Sequence, residues 1–282
     1  MKWAIVTDSA SDMACLKSEL NGEVGFEVVS LKLNIGDKEF VDDEHLDVDN
    51  MMNALASHKG KSGSAAPSPG DWKKAFEMAD NIVAITISGN LSGSYSSAAA
   101  AKDMILEQYP DKNVLLVDSL STGAGMILIA RKAMELAKKG VSFEEMEAAI
   151  KEYRKKTHLY FILENMDNLI KNGRVSKFEG GVAAILGIKV FGEASPEGTL
   201  SVLKKARGKM MAYDKLLEHM FAKNYSGGKV IIGHCGNEEK AAYIKNKLKE
   251  KFSMANIEVM KLRGLDSFYA EKGGIILGFE FA

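Results

Sequence analysis

The sequence has 282 residues, of which 46% are hydrophobic and 27% charged, and its formal net charge is −1. This length suits two ordinary domains or one large one, and the composition is that of a globular protein with a sizeable core. A net charge so close to zero gives no basis for binding nucleic acid or an anionic membrane. The N-terminus lacks a signal-peptide core, and no apolar run is long enough to span a bilayer. We therefore expect a cytoplasmic protein without stable membrane insertion.

The N-terminal segment predicts a strand over Trp3–Thr7 that ends in the polar run Asp8–Asp12. Polar residues just past the carboxyl end of a strand lie where open α/β sheets bind ligands. The serines of this run would equally cap a following helix. Phe26–Ile35 and Lys38–Val41 then predict a hairpin, which is an insertion at about residues 26–41 in an otherwise alternating pattern.

Residues 59–72 are dense in glycine, serine and proline, and we interpret them as a loop because a helix resumes at Asp71. Gly60, Lys61 and Ser62 match part of a phosphate-binding loop. That motif needs another glycine five residues before Gly60, where this chain has Leu55, and it needs a preceding strand. A nucleotide site is therefore not expected here.

Residues 82–98 form the most informative stretch of the chain. The β-branched run Ile82–Ile87 predicts a buried strand, a loop of glycine, serine and asparagine follows, and Ala98–Leu106 predicts a helix. Four serine hydroxyls lie in or next to the loop, those of Ser88, Ser92, Ser94 and Ser96. Together with unpaired backbone N–H groups at a helix N-terminus, they suit a carboxylate or a phosphate. The same serines fit a simple capping role, and the stretch alone leaves both interpretations open.

The order of predicted elements indicates the fold class. Up to about residue 156, strands and helices alternate, which predicts a parallel sheet wound with helices. After that point, strands paired as hairpins are mixed with helices, which predicts an α+β arrangement over a mixed sheet. The later elements are expected at Leu159–Leu163, Met166–Asn172, Val182–Leu186, Ile188–Phe191, Thr199–Leu203, Lys209–Phe221, Lys229–Gly233, Glu238–Phe252, Ile257–Leu262 and Ile275–Phe281. We therefore predict an α/β protein with two domains, residues 1–156 and residues 157–282.

Several kinds of catalytic site lack their sequence signatures. The chain has no Gly-x-Gly-x-x-Gly loop, no metal-ligand spacing and no redox pair of cysteines. The glycines at 89 and 93 bracket Asn-Leu-Ser, so the serine is off centre for a hydrolase elbow. Of the five histidines, only His234 follows a strand in a position suited to a site. A serine esterase or acyl-transfer enzyme using Ser92 or Ser94 with His234 remains the alternative, while the missing signatures favour a binding protein.

Six short motifs, spread in order over nearly the whole chain, resemble the DegV family. They are Val6–Asp12, Ser64–Trp72, Ile87–Ala98, Val117–Ser119, Leu169–Ser176 and Lys205–Gly208. Members of that family bind a long-chain fatty acid between two α/β domains. The resemblance therefore implies a ligand tunnel between the two predicted domains.

The resemblance also implies roles for individual residues. Ser92 corresponds to the family's contact with the ligand carboxylate, helped by Gly93 and Ser94. Ser64 stands where the family usually has a threonine that contacts the same head group. The family tends to carry a His-x-Gly-Pro-Gly loop near its C-terminus, and Tyr269 replaces that histidine here. A phenolic hydroxyl can still donate a hydrogen bond, although the nearby Glu271 would repel a carboxylate if it faced inward.

The resemblance further implies a non-catalytic role. The best understood members present the bound fatty acid to a separate ATP-dependent kinase subunit, which forms an acyl phosphate. Arg174 matches the family arginine that is implicated in docking the kinase, although it would also suit the dipole at a helix C-terminus. The expected partners are a long-chain fatty acid and the catalytic subunit of a fatty acid kinase. No catalytic residue, metal or cofactor is expected besides the bound fatty acid.

Overall fold

A computed structural model of the chain describes residues 2–16, 22–175, 188–208 and 210–281. Its first sheet has four parallel strands in the order β2-β1-β6-β7. These are β1 (Trp3–Asp8), β2 (Gly25–Val29), β6 (Asn81–Thr86) and β7 (Asn113–Asp118). Apolar runs without alternation suit strands that are covered on both faces, and Ile82–Ile85 are fully buried.

A second, three-stranded antiparallel sheet has the order β4-β3-β5. It consists of β3 (Lys32–Ile35), β4 (Lys38–Val41) and β5 (Ser62–Ala65). The hairpin of β3 and β4 is as predicted, but residues 25–29 form a separate strand that pairs with β1. The predicted loop at residues 59–72 also contains β5, which pairs with β3 and places Ser64 opposite Leu33.

Five α-helices lie among the described residues up to Lys156. They are α1 (Val48–Ser57), α2 (Pro69–Phe76), α3 (Ser94–Gln108), α4 (Gly123–Lys138) and α5 (Phe143–Lys156). A capping box opens α5, since Ser142 accepts the N–H of Glu145 and Glu145 accepts that of Ser142. Helix α3 begins four residues before the predicted start, so Ser94 and Ser96 lie in its first turn.

The third sheet is mixed, with the order β10-β9-β8-β13-β11-β12. Its strands are β8 (Thr157–Leu163), β9 (Ile188–Ala194), β10 (Leu200–Arg207), β11 (Val230–His234), β12 (Ile257–Lys261) and β13 (Ile275–Glu280). Only β11 and β12 run parallel, and the other neighbours are antiparallel. The accompanying helices are α6 (Asp167–Lys171), α7 (Met211–Ala222), α8 (Glu238–Lys251) and α9 (Gly264–Ala270). The predicted α/β class with a parallel and a mixed sheet is confirmed.

Helix α4 lies between the parallel and the mixed sheet. Eleven of its sixteen residues are buried, and it contacts β1 and β6 on one side and β8, β11 and β13 on the other. Its first eight residues, Gly123–Ala130, are all buried, as expected of a helical segment that is apolar all round. The largest core cluster accordingly contains residues of both halves, such as Ile5 and Phe161. The division at residues 156 and 157 stays a prediction, although it coincides with the junction of α5 and β8.

Two predictions concern residues outside the described ranges. The predicted helix Val182–Leu186 lies wholly outside them, and the predicted start of a helix at Lys209 does so too. Helix α9 was not predicted at all. Among the helices that the structure describes, none has both the length and the apolar character needed to cross a membrane.

Candidate functional site

A narrow apolar cavity lies at the seam between the two halves of the chain. Its wall is formed mainly by leucine, isoleucine and phenylalanine side chains from both halves, including Leu31, Ile87, Leu159, Phe161, Leu265 and Ile276. The space between its walls is about 600 Å³ when the solvent at its open end is included. Little of this space is wide enough to hold a water molecule. Ligand sites for small molecules have this apolar character.

Polar side chains interrupt this wall at a few positions. Ser64, Ser92, Arg174 and Tyr269, all predicted site residues, line the cavity. The hydroxyl oxygens of Ser64 and Tyr269 lie 2.9 Å apart and share a hydrogen bond, although the two residues are 205 positions apart in the chain. Strand β5 supplies the serine and helix α9 supplies the tyrosine. The pair therefore joins the two halves of the chain at the cavity wall.

The loop after β6 holds Ser92 in a defined position. The carbonyl of Ser88 accepts the N–H groups of Leu91 at 2.9 Å and of Ser92 at 3.1 Å, which closes a turn. The hydroxyl oxygen of Ser92 accepts the N–H of Ser94 at 3.3 Å. Since a serine oxygen that accepts one bond still carries its own O–H donor, Ser92 can donate to a ligand. The adjacent N-terminus of α3 favours negative charge.

Gly93 and Ser94 have other surroundings. Gly93 is the N-cap residue of α3 and does not line the cavity. Ser94 is fully buried, and its hydroxyl donates a 2.6 Å hydrogen bond to Oδ2 of Asp8. The same oxygen accepts the N–H of Ile87 at 2.9 Å. Asp8 thus ties both ends of the loop to β1, and a direct ligand contact of Gly93 or Ser94 stays a prediction.

Arg174 lies at the cavity with part of its guanidinium group already engaged. Its Nε donates to the carbonyl of Leu91 at 3.2 Å, and one terminal nitrogen donates to the carbonyl of Asn172 at 2.5 Å. No described residue accepts a hydrogen bond from the other terminal nitrogen. Arg174 therefore ties the segment after α6 to the serine loop.

Glu271 does not face the cavity. It lines a separate polar cleft on the other side of α9, together with Lys272. Its carboxylate accepts a hydrogen bond from the side chain of Asn165 at 2.8 Å and from the backbone of Asn168 at 3.2 Å. Glu271 therefore does not face inward, and the predicted repulsion between it and a ligand carboxylate does not arise.

His234 lines that same separate cleft, whereas Ser92 lines the apolar cavity. Its Nδ1 accepts the N–H of Asn237 at 3.3 Å, and burial lowers its pKa. The hydroxyl of Ser94 is committed to Asp8. The structure therefore pairs neither Ser92 nor Ser94 with His234, as nucleophilic catalysis by these residues would need. Within the described part of the chain, no group of three His, Cys, Asp or Glu side chains is arranged to hold a metal ion.

Sequence reasoning missed a group of buried carboxyl groups beside the cavity. Asp8, Asp12, Asp42 and Asp266 are each at most 3% exposed, and Asp266 lines the cavity with Thr122. Burial raises the pKa of Asp8 to about 7 and that of Asp42 to about 6. The run from Asp8 to Asp12 was noted in the sequence, but nothing marked Asp42 or Asp266.

Known proteins resemble this chain over its full length. A family model described as "Uncharacterised protein, DegV family" matches residues 2–279. A DegV domain-containing protein of Streptococcus gordonii is 42% identical over 280 residues, which are 99% of each protein. The crystal structure of the Streptococcus pneumoniae Fatty Acid Kinase (Fak) B3 protein, loaded with linoleic acid, is also similar. It has a TM-score of 0.94 and 39% sequence identity, and the match covers 100% of this chain and 100% of the other. A DegV family protein from Eubacterium eligens, loaded with heptadecanoic acid, has a TM-score of 0.93 and 38% identity over 99% of this chain and 100% of the other.

Proposed function

Since this chain belongs to the DegV family, we propose that it binds one long-chain fatty acid in the apolar cavity, with the carboxylate at Ser92 and at the pair of Ser64 and Tyr269. The observation that carries this proposal is the cavity itself, whose wall is apolar except for a few hydroxyl and charged groups. Similar proteins from S. pneumoniae and E. eligens hold fatty acids in their crystal structures.

The apolar wall accounts for most of the expected affinity. Burying about a dozen methylene groups at about 0.8 kcal/mol each contributes roughly 10 kcal/mol before the costs of association. The cavity is narrow, so its walls must move apart slightly to admit an alkyl chain. Helix α9 contributes Leu265 and Ala270 to one wall.

The hydroxyl groups determine the direction in which the fatty acid lies. A hydrogen bond to a charged group contributes only about 1.5–3 kcal/mol, which is much less than the tail. Within the pair of Ser64 and Tyr269, one hydroxyl can donate to the other while the second donates to the ligand. This chain thus offers a phenol at the position of the family histidine.

The double substitution Ser64→Ala with Ser92→Ala tests the head-group assignment. We expect the variant to fold normally and to dissociate from palmitic acid at least tenfold faster, because two donors to the carboxylate are lost. The measurement is the rate at which radiolabelled palmitic acid leaves the purified protein for an excess of lipid vesicles. Ser253→Ala, at an exposed position, is the matched control. An unchanged rate in the folded double variant would rule out these serines as carboxylate contacts.

We further propose that the bound carboxylate is presented to a separate ATP-dependent kinase subunit. Two features support this division of labour. The similar protein of S. pneumoniae bears the name of a fatty acid kinase component. The sequence lacks a phosphate-binding loop of its own. The protein would then be a non-catalytic carrier that needs no cofactor and works where ATP is available, in the cytoplasm.

Replacing Arg174 by alanine separates binding from presentation. We expect palmitic acid to dissociate at a rate within about threefold of the wild type, since the tail supplies most of the affinity. Turnover by an added fatty acid kinase catalytic subunit should fall at least tenfold, because a docking cation is lost. The exposed neighbour Lys171, replaced by alanine, is the control. Wild-type turnover in Arg174→Ala would remove this residue from the docking surface.

A further inference from the structure

Helix α9, which forms part of the cavity wall, is short and lacks a cap of its own. It has seven residues, and no side chain of its N-cap residue Arg263 bonds to its first turn. Yet Leu265, Asp266, Tyr269 and Ala270 all line the cavity. A short helix with unsatisfied N-terminal N–H groups needs partners from elsewhere in the chain.

Those partners come from the N-terminal half of the chain. The carboxylate of Asp42 accepts the N–H groups of Gly264 at 3.1 Å and of Leu265 at 2.9 Å. Oδ1 of Asp12 accepts the N–H of Arg263 at 2.8 Å. Carboxylates are favourable at a helix N-terminus. The start of α9 is therefore held by side chains that are more than two hundred residues away in sequence.

Asp266 of α9 also faces the N-terminal half of the chain, where it meets Thr122 and Asp12. Oδ1 of Asp266 accepts the hydroxyl of Thr122 at 2.7 Å. Oδ2 of Asp266 and Oδ2 of Asp12 are both buried, and neither receives an N–H or O–H from a described residue. The two carboxyl groups nevertheless lie within hydrogen-bonding reach of each other. Both oxygens also lie beside Gly123, where an added Cβ would stand 2.2 Å from Oδ2 of Asp266 and 3.5 Å from Oδ2 of Asp12.

Two buried carboxylate oxygens cannot face each other without a donor, since both carry negative charge and neither is solvated. One proton between them removes the repulsion and supplies the missing hydrogen bond. Burial raises the pKa of both groups, and the negative charge of Asp266 raises that of Asp12 further. This is the arrangement in which two carboxyl groups share one proton.

We propose that Asp12 and Asp266 hold one proton between them and that this proton keeps α9 seated on the N-terminal half, so that a bound fatty acid is released faster as the pH rises through neutrality. Both are positioning residues, because they act through α9 and the Tyr269 that it carries. The inference rests on the proposed function and adds a regulation of the same site.

The sign follows from the raised pKa values. An acidic group with a raised pKa in the folded protein keeps a proton that the unfolded chain has lost above about pH 4. The state in which α9 packs against the N-terminal half is therefore favoured fully below about pH 4. It loses this advantage as the pH rises toward and through the pKa of the pair in the folded protein. A single shared proton changes the equilibrium by at most about tenfold per pH unit.

Other charged groups face the pair and contribute to the same pH range. From β1 comes Asp8, and from the segment after β4 comes Asp42, whose negative charge raises the pKa of both members of the pair. The guanidinium group of Arg263 precedes α9 and opposes this effect at Asp42. The buried thiol of Cys235 follows β11, and burial raises its pKa. Helix α4 contributes no titratable group at Gly123. The pH dependence of the wild type is therefore the sum of the effects of Asp8, Asp42, Cys235 and the pair of Asp12 and Asp266.

Asparagine at either position isolates the contribution of the pair. In Asp266→Asn the amide can accept from Thr122 and donate to Asp12, so it imitates a permanently protonated carboxyl group. Asp12→Asn does the same in the other direction, since its carbonyl can accept from Arg263. Asp103→Asn, at an exposed position of α3, is the matched control.

The experiment measures the dissociation rate of radiolabelled palmitic acid from the four proteins between about pH 6 and pH 8.5, a range that covers neutrality. We expect the rate to rise with pH in the wild type and in Asp103→Asn, and to rise several-fold less in Asp266→Asn and Asp12→Asn. Equal slopes in all four folded proteins would overturn the proposal.

An infrared spectrum of the wild type supplies a readout that needs no variant. We expect the carbonyl band of a protonated carboxyl group near neutral pH, weakened in Asp266→Asn. Its absence from the wild type would also overturn the proposal. Failure of all four proteins to retain palmitic acid at any pH would instead contradict the proposed function, while the infrared band would still test the shared proton.

Discussion

Replacing Leu200 by tryptophan is expected to abolish retention of a long-chain fatty acid while the protein stays folded. Leu200 is only partly buried and lies at the start of the edge strand β10, where it lines the cavity. A larger ring at an edge position can be accommodated without disturbing the core, but it fills space that the alkyl tail needs. If the ring displaces about four methylene groups, the loss is about 3 kcal/mol, or more than a hundredfold in affinity. Titration with palmitic acid under equilibrium conditions measures it.

The neighbouring residue gives the control for this substitution. Ser201 is also partly buried, but successive side chains of a strand point to opposite faces, and Ser201 does not line the cavity. Ser201→Trp should therefore bind palmitic acid like the wild type. Equal affinities of Leu200→Trp and the wild type would place the tail outside this cavity.

Replacing Gly278 by alanine is expected to cost about 2–3 kcal/mol of the free energy of unfolding. Gly278 lies in the middle of β13, directly against the first turn of α4. An added Cβ would stand 2.4 Å from the backbone carbon and 2.5 Å from the backbone oxygen of Ala124. Because both atoms belong to the main chain, the whole helix would have to move away from the mixed sheet. Urea denaturation measures this loss of stability.

Gly22 is the matched control, because no described residue beyond its chain neighbours lies within 4 Å of an added Cβ there. Alanine at such a site changes stability by less than about 1 kcal/mol, and it often stabilises by restricting the unfolded chain. Unfolding midpoints that agree between the two variants would show that the seam at α4 is loosely packed.

The parallel sheet was predictable because short β-branched runs such as Ile82–Ile87, followed by turn residues, favour buried strands. Strand β5 was not, since its sequence is Ser-Gly-Ser-Ala and only its pairing with β3 makes it a strand. Helix α9 was missed because it has seven residues, begins with glycine and is capped by carboxylates that are distant in sequence. Tertiary contacts, not local preferences, determine both elements.

The residues of the candidate site likewise divide into those that the sequence predicted and those that it did not. Local pattern marked the serine loop as an anion site, but four hydroxyl groups were equivalent in the sequence and only Ser92 lines the cavity. Ser64, Tyr269 and Arg174 came from the resemblance to the DegV family, since no spacing connects residues that are up to 205 positions apart. The pairing of Asp12 with Asp266 had no signal in the sequence, because it joins single carboxyl groups from the two halves of the chain.

The most direct test is mass spectrometry of an organic extract of the purified wild-type protein, with Leu200→Trp purified in parallel as the blank. The account predicts about one long-chain fatty acid per wild-type chain and little or none in the variant. A wild-type extract free of fatty acid, from protein that also fails to take up added palmitic acid, would contradict it.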